Sequence, residues 1–201
     1  MPAKRAYFEE GKKSVFAIAL EWPGWARRSA TPERALQELT NYQQRYEMIV
    51  GSALPAGRIT IIGSVPGNAT TDFGAPGVLG PWDEKPASKN ERVRQIQILE
   101  RCWQYFDRVI SGAPNQLTKG PRGGGRDRDE IVEHVRETER AYAPKMGLRI
   151  PPRTAWPEQR AMLVEHLSEG QLGHAWPPLH AVRRLAWHIV DHAWEIEDKS
   201  V

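Results

Sequence analysis

The sequence predicts an α+β fold, in which a small N-terminal β-β-α-β unit is followed by an antiparallel four-helix bundle. Three observations carry that expectation. Residues 14–62 hold short runs rich in Val, Ile, Phe and Trp on either side of one apolar stripe at helical spacing. Residues 88–198 hold four such stripes, separated by Gly- and Pro-rich breaks. Between them, residues 63–89 are rich in Gly, Pro, Asn, Asp and Ser and keep no period. The expected boundaries are 1–65 for the α/β domain, 66–88 for a linker or crossover, and 89–201 for the bundle.

Residues 14–21 read as a first strand, because Val15 and Phe16 favour extended backbone. Pro23-Gly24, between Trp22 and Trp25, is turn chemistry: Pro presets one dihedral and Gly accepts positive φ. Residues 25–29 return as the second strand of a hairpin. Thr31-Pro32-Glu33 then starts a helix, with a hydroxyl cap, Pro at the first helical position and an acid in the first turn. Ala35, Leu36, Leu39, Tyr42, Tyr46 and Val50 continue it to Gly51, and residues 58–62 supply one more strand. The crossover is long for a compact protein, so it is either functional or packed, and its Trp82 predicts docking.

The first bundle helix is expected over 88–112, through Val93, Ile96, Leu99, Trp103, Phe106 and Ile110. Asp127 and Glu130 have capping-box spacing before Ile131, Val135, Thr138 and Tyr142 of the second. Trp156-Pro157-Glu158 opens a third helix through Met162, Leu163 and Leu167, and the last runs from about 179 to 198. Four amphipathic helices with intervening loops make a bundle the simplest architecture.

Lys+Arg (28) and Asp+Glu (25) nearly balance, and they are interspersed along the helices. A nucleic-acid binder concentrates its basic residues on one face, so this pattern argues against nucleic acid. The single cysteine, Cys102, excludes an intramolecular disulfide and reads as a buried thiol in a helical stripe. No stretch approaches the roughly 20 apolar residues of a membrane span, and the N-terminus lacks the apolar run of a signal peptide. A soluble, cytoplasmic protein with no membrane partner is the expectation. Eight tryptophans favour pocket walls and element interfaces, although plain core filling accounts for most of them.

The last helix carries the chemistry. Val182, Leu185, Ile189, His192 and Ile196 form its buried stripe, with His188 one turn before His192. Two imidazoles at i, i+4 present to one cation. His134 shares the apolar face of the second bundle helix, and facing helices are how bundles assemble metal sites. Three imidazoles with no further protein ligand leave open positions on a metal, as catalytic sites do. The plainer reading is a set of core histidines bonded to backbone or carboxylate. His166 rivals His134 for the third place, whereas His174 and His180 flank a Trp-Pro-Pro turn and read as loop or capping residues.

With those residues in place, 122–142 and 183–198 resemble an uncharacterised branch of the DinB-like superfamily of metal-binding four-helix bundles. The likeness covers roughly 85–200 and assigns the family's three metal histidines to His134, His188 and His192. After the pair, the chain departs from the family pattern with Ala193-Trp194-Glu195-Ile196. The N-terminal strand, Trp22-Pro23-Gly24 turn, second strand and Ala30-to-Leu36 helix start are similar to the HicB-like fold, whose members are antitoxins paired with small RNA-cleaving partners. The DNA-binding segment usual in those antitoxins is missing.

The DinB-like resemblance implies a divalent metal, zinc first, with nickel, manganese and iron as alternatives because imidazole suits them all. It also implies a metal-dependent enzyme, a thiol-dependent transferase or isomerase or a hydrolase, with a low-molecular-weight thiol as co-substrate. The competing expectation is a non-catalytic regulatory or antitoxin-like binding module with the helices as metal-binding scaffold. Asp191 and Glu195 are the acids nearest the pair, placed to orient the ligands, and Glu195 is alternatively a fourth ligand. The loop from Lys119 to Asp127 joins four glycines to Arg122 and Arg126, a set that can grip the carboxylate or phosphate of a small anionic substrate. The plainer reading of that loop is a flexible connection with Asp127 as helix cap. A homo-oligomer is compatible with all of this.

Overall fold

Charges at both ends of residues 5–10 conceal a strand that the composition does not advertise. In the structure, a computed structural model describing residues 3–121, 124–170 and 173–200, this segment is β1 (Arg5–Glu10). The hairpin expected next is present as β2 (Val15–Ala19) and β3 (Ala26–Ser29). After α1 (Pro32–Asn41) and α2 (Gln43–Val50), β4 (Thr60–Pro66) returns. The four-stranded sheet has the order β3-β2-β1-β4, with β4 parallel to β1 and the other pairs antiparallel. The extra strand corrects the β-β-α-β expectation to β-β-β-α-α-β. The helix expected over 31–50 also breaks, at Tyr42, where Thr40 Oγ1 bonds back to the Leu36 carbonyl and loosens the end of α1.

Every residue of β2 is buried, because both faces of the sheet are covered. Alternation puts Val15, Ala17 and Ala19 on the face that packs against α1 and α2. Tyr7, Phe16 and Ile18 lie on the other, beneath Trp187 and the crossover. The crossover holds its own short helix, α3 (Ala69–Phe73), and is bound down by buried groups. Glu9, fully buried on β1, accepts bonds from Thr71 Oγ1 (2.6 Å), Gly77 N–H (2.8 Å) and Val78 N–H (3.0 Å). Trp82 packs on Tyr7 with ring centres 4.3 Å apart, and Asp83 forms a buried ion pair with Arg183.

The remaining helices are α4 (Lys89–Gly112), α5 (Arg128–Tyr142), α6 (Trp156–Glu169) and α7 (Pro178–Lys199). Ser88 caps α4 in a reciprocal box with Glu91, worth about 1 kcal/mol. α4 runs against α7 over the largest contact, α5 packs on α7, and α6 packs on α4. The architecture is thus a four-stranded sheet followed by several helices, organised about α7. That helix is not amphipathic in place, since residues 181–190 are buried without a break. Its 182/185/189 stripe faces the other helices, and the opposite side meets the sheet, where Trp187 abuts Phe16 edge-on at 5.9 Å.

The Trp-Pro-Gly turn fixes this junction. Gly24 has φ +93°, and a Cβ there would lie 3.0 Å from Val190 Cγ2 and 3.4 Å from Cys102 Sγ, so both its backbone and its bare Cα are required. Pro23 gives its carbonyl to the Tyr46 hydroxyl at 2.7 Å, and Trp25 donates to the Leu39 carbonyl at 2.9 Å.

Candidate metal centre

α5 and α7 bring three imidazoles together. Each of His134, His188 and His192 offers a ring nitrogen within 4.8 Å of the other two. The Nε2 atoms of His188 and His134 face each other at 3.2 Å, and the three ring centres are 4.6–5.0 Å apart. His188 and His192 are buried, at 6% and 8% exposure, whereas His134 is partly open to solvent. The placement follows from the helix: residues four apart on α7 lie on one face, and α5 lies across that face.

The surroundings keep this set basic and oriented. Glu195 sets Oε2 2.7 Å from His192 Nδ1, and its other oxygen accepts from Lys199 Nζ at 2.6 Å. The bond to His192, followed by that to Lys199, holds the Glu195 carboxyl down at about 2. An ionised carboxylate only accepts, so Nδ1 of His192 carries the proton of this bond. Burial, with the charges of Arg126 and His192, depresses His134 to about 4. Burial first, then His192 and Arg184, pushes His188 well below the ordinary imidazole range. Both are neutral at pH 7, the form that ligates a metal.

The donor set fits a metal ion. Bonds of 2.0–2.1 Å at a tetrahedral angle place two ligand nitrogens about 3.3 Å apart, close to the 3.2 Å between His188 and His134. All donors are imidazole nitrogens, which suit zinc and the later first-row metals.

The other sequence candidates lie elsewhere. His166 bonds the Met146 carbonyl at 2.8 Å and is absent from the cluster. Asp191 turns to Arg27, 3.7 Å away, on the sheet side of α7. Arg126 reaches the site's edge, 3.8 Å from Glu195 Oε2, while Arg122 lies outside the described residues. Asp127 does stand at the start of α5. Glu130 accepts from its N–H at 2.8 Å, and its own carboxylate turns to Lys119 and the Leu117 N–H. His180, read as a loop or capping residue, is instead buried in the first turn of α7, 3.7 Å from Asp83.

Sequence reasoning overlooked two buried charges beside the site. Glu139 occupies the apolar stripe of α5, eight positions after Ile131, and that position was the available signal. It accepts from Trp103 and Trp156 indoles at 2.7 Å each and from Gln159 at 3.1 Å. Arg184, one turn before His188, follows Arg183 in an otherwise apolar run, and the 184/188/192 spacing was the available signal. Among the described residues, no helix is long and apolar enough to cross a membrane. Comparisons with protein-family models, curated proteins and solved structures return no match for this chain.

Proposed function

We propose that the four C-terminal helices are a DinB-like four-helix bundle behind a HicB-like unit, and that His134, His188 and His192 hold a divalent metal ion, zinc first, in a metal-dependent enzyme. The observation that supports this reading is the convergence of three imidazole nitrogens within 4.8 Å. When bound, the ion supplies a positive charge that stabilises a thiolate or polarises a substrate oxygen. The chain's own residues do the rest. Glu195 fixes the tautomer and orientation of His192 and raises its basicity as a ligand. Burial of His188 and His192 limits water on the inner side, and the partly open His134 marks the side from which a small thiol or anionic substrate enters. A thiol-dependent transferase or isomerase fits a site of this kind, with a hydrolase as the variant in which water replaces the thiol.

Elemental analysis of untagged protein tests the metal. About one divalent ion per chain is expected for a single three-histidine site, and failure to retain zinc, nickel, manganese or iron after loading and dialysis would overturn it. Cobalt-loaded protein titrated with 2-mercaptoethanol tests the chemistry. A sulfur-to-cobalt charge-transfer band is expected, and its absence would remove the thiol-dependent reading in favour of hydrolysis.

A further inference from the structure

On the sheet side of α7, one turn before His188, Tyr7, Ile18, Pro76, Gly77, Arg184 and Trp187 line a pocket that His180 and Arg183 also border. Its free volume is about 20 Å³, room for an ordered water or a ligand of a few heavy atoms. The walls are mainly apolar, but the polar groups that reach them lack partners. Arg183 Nε, Arg184 Nη1 and both ring nitrogens of His180 are buried with no hydrogen-bond partner among the described residues.

Arg183 has a counter-ion in Asp83. Arg184 does not. It is 7% exposed, and its guanidinium lies 4.5 Å from the centre of the Trp187 ring and 5.0 Å from that of Tyr142. Two carboxylates act on it from a distance, and both are engaged elsewhere: Glu9 with Thr71, Gly77 and Val78, and Asp191 with Arg27. A guanidinium cannot shed its proton, so burial leaves a fixed charge with an unmet donor, a costly arrangement in an otherwise well-satisfied interior.

We propose that this pocket binds a carboxylate of formate or acetate size, held by Arg184 and the Arg183 Nε–H, with at most a methyl group against Ile18, Pro76 and Trp187. The planar two-oxygen head matches the guanidinium fork. The narrow apolar walls disfavour phosphate, which needs more donors and more room. The site stands on different residues from the metal centre and does not rest on the metal reading.

The test is an NMR titration of the full chain, treated with chelator so that the metal plays no part, with formate and acetate, and with phosphate as the comparator. Saturable shifts of the Gly77 amide and Trp187 indole signals are expected, with a dissociation constant of about 1 mM or tighter for the best carboxylate. Arg184→Gln should abolish them, and Arg184→Lys should weaken binding about tenfold, since it keeps the charge and loses the fork. Wild-type signals that do not move with any carboxylate, saturation by phosphate alone, or undiminished binding in Arg184→Gln would each overturn the proposal. Should that variant not fold, the Arg184 Nε–H signal of the wild type decides: it must shift with the carboxylate, and a static signal is a negative result.

Discussion

Glu139 and His134 lie five residues apart on α5, and each belongs to a partly or wholly buried polar cluster on that helix. Their chemistry is opposite. Around Glu139 one acceptor meets three donors, from Trp103, Trp156 and Gln159, and the cluster is closed. Burial raises the Glu139 pKa, and Arg160 and the three bonds work against that rise. Around His134 three imidazoles face one another within 4.8 Å, two of them held neutral by burial, and this is the arrangement on which the proposed metal site rests.

The largest effect that would break this contrast is loss of the metal. His192→Ala should abolish tight metal binding, and His188→Ala and His134→Ala should nearly do so, because each ligand carries a large share of a binding energy of roughly 10 kcal/mol or more. His166→Ala and His174→Ala should bind as wild type, measured by equilibrium dialysis with elemental analysis. Metal-free His134→Ala should also keep a near-native urea midpoint; a large loss there would make the histidines structural. Next comes Glu139→Leu, which strands three donors in the core and should cost about 3 kcal/mol or more in urea unfolding, with metal stoichiometry intact once the variant is folded. A neutral result would mean that the cluster is not what holds α5 against α4 and α6.

The Asp83–Arg183 pair sharpens the comparison through pH. Burial raises the Asp83 pKa, but His180 and Arg183 more than reverse this and hold it at about 2, against 3.8 for the free group. The depressed folded-state value means that the unfolded chain binds the extra proton. The contribution, on the order of 2 kcal/mol, is therefore full above about pH 4 and lost as the pH falls through about 2. Urea midpoints measured from pH 5 to pH 2 should show this slope in the wild type, and Asp83→Asn should flatten it. The smallest effect is expected at Glu195→Gln, which should lower metal affinity about tenfold while stoichiometry is kept. Complete loss of the metal would instead make Glu195 a ligand.

The helices and the histidines were legible because helical period is a local signal. The 182/185/189 spacing puts His188 and His192 on a face without knowledge of anything else, and Asp127 and Glu130 mark the start of α5. What escaped depends on neighbours far along the chain. β1 looks like a charged terminus until Glu9 finds the crossover amides. α7 looks amphipathic until the sheet covers its polar side, where Arg183 meets Asp83 and Asp191 meets Arg27. Asp191 shows the limit most plainly: adjacent to His192 in sequence, it points to the other side of the helix and pairs with Arg27.

The turn at Gly24 has a consequence for the order of events in the cell. Its neighbour Val190, the Trp187 cover over Phe16, and Glu197, which pairs with Arg45 across 152 positions, all belong to the last helix made. A ribosome therefore releases the sheet long before it makes the sheet's cover, and long-range closure of this kind is slow. Until α7 emerges, the crossover alone covers Tyr7, and Phe16 lacks the Trp187 ring that abuts it. A premature stop that removes α7 takes away the ligand pair, and with it the element on which the first thirty residues come to rest.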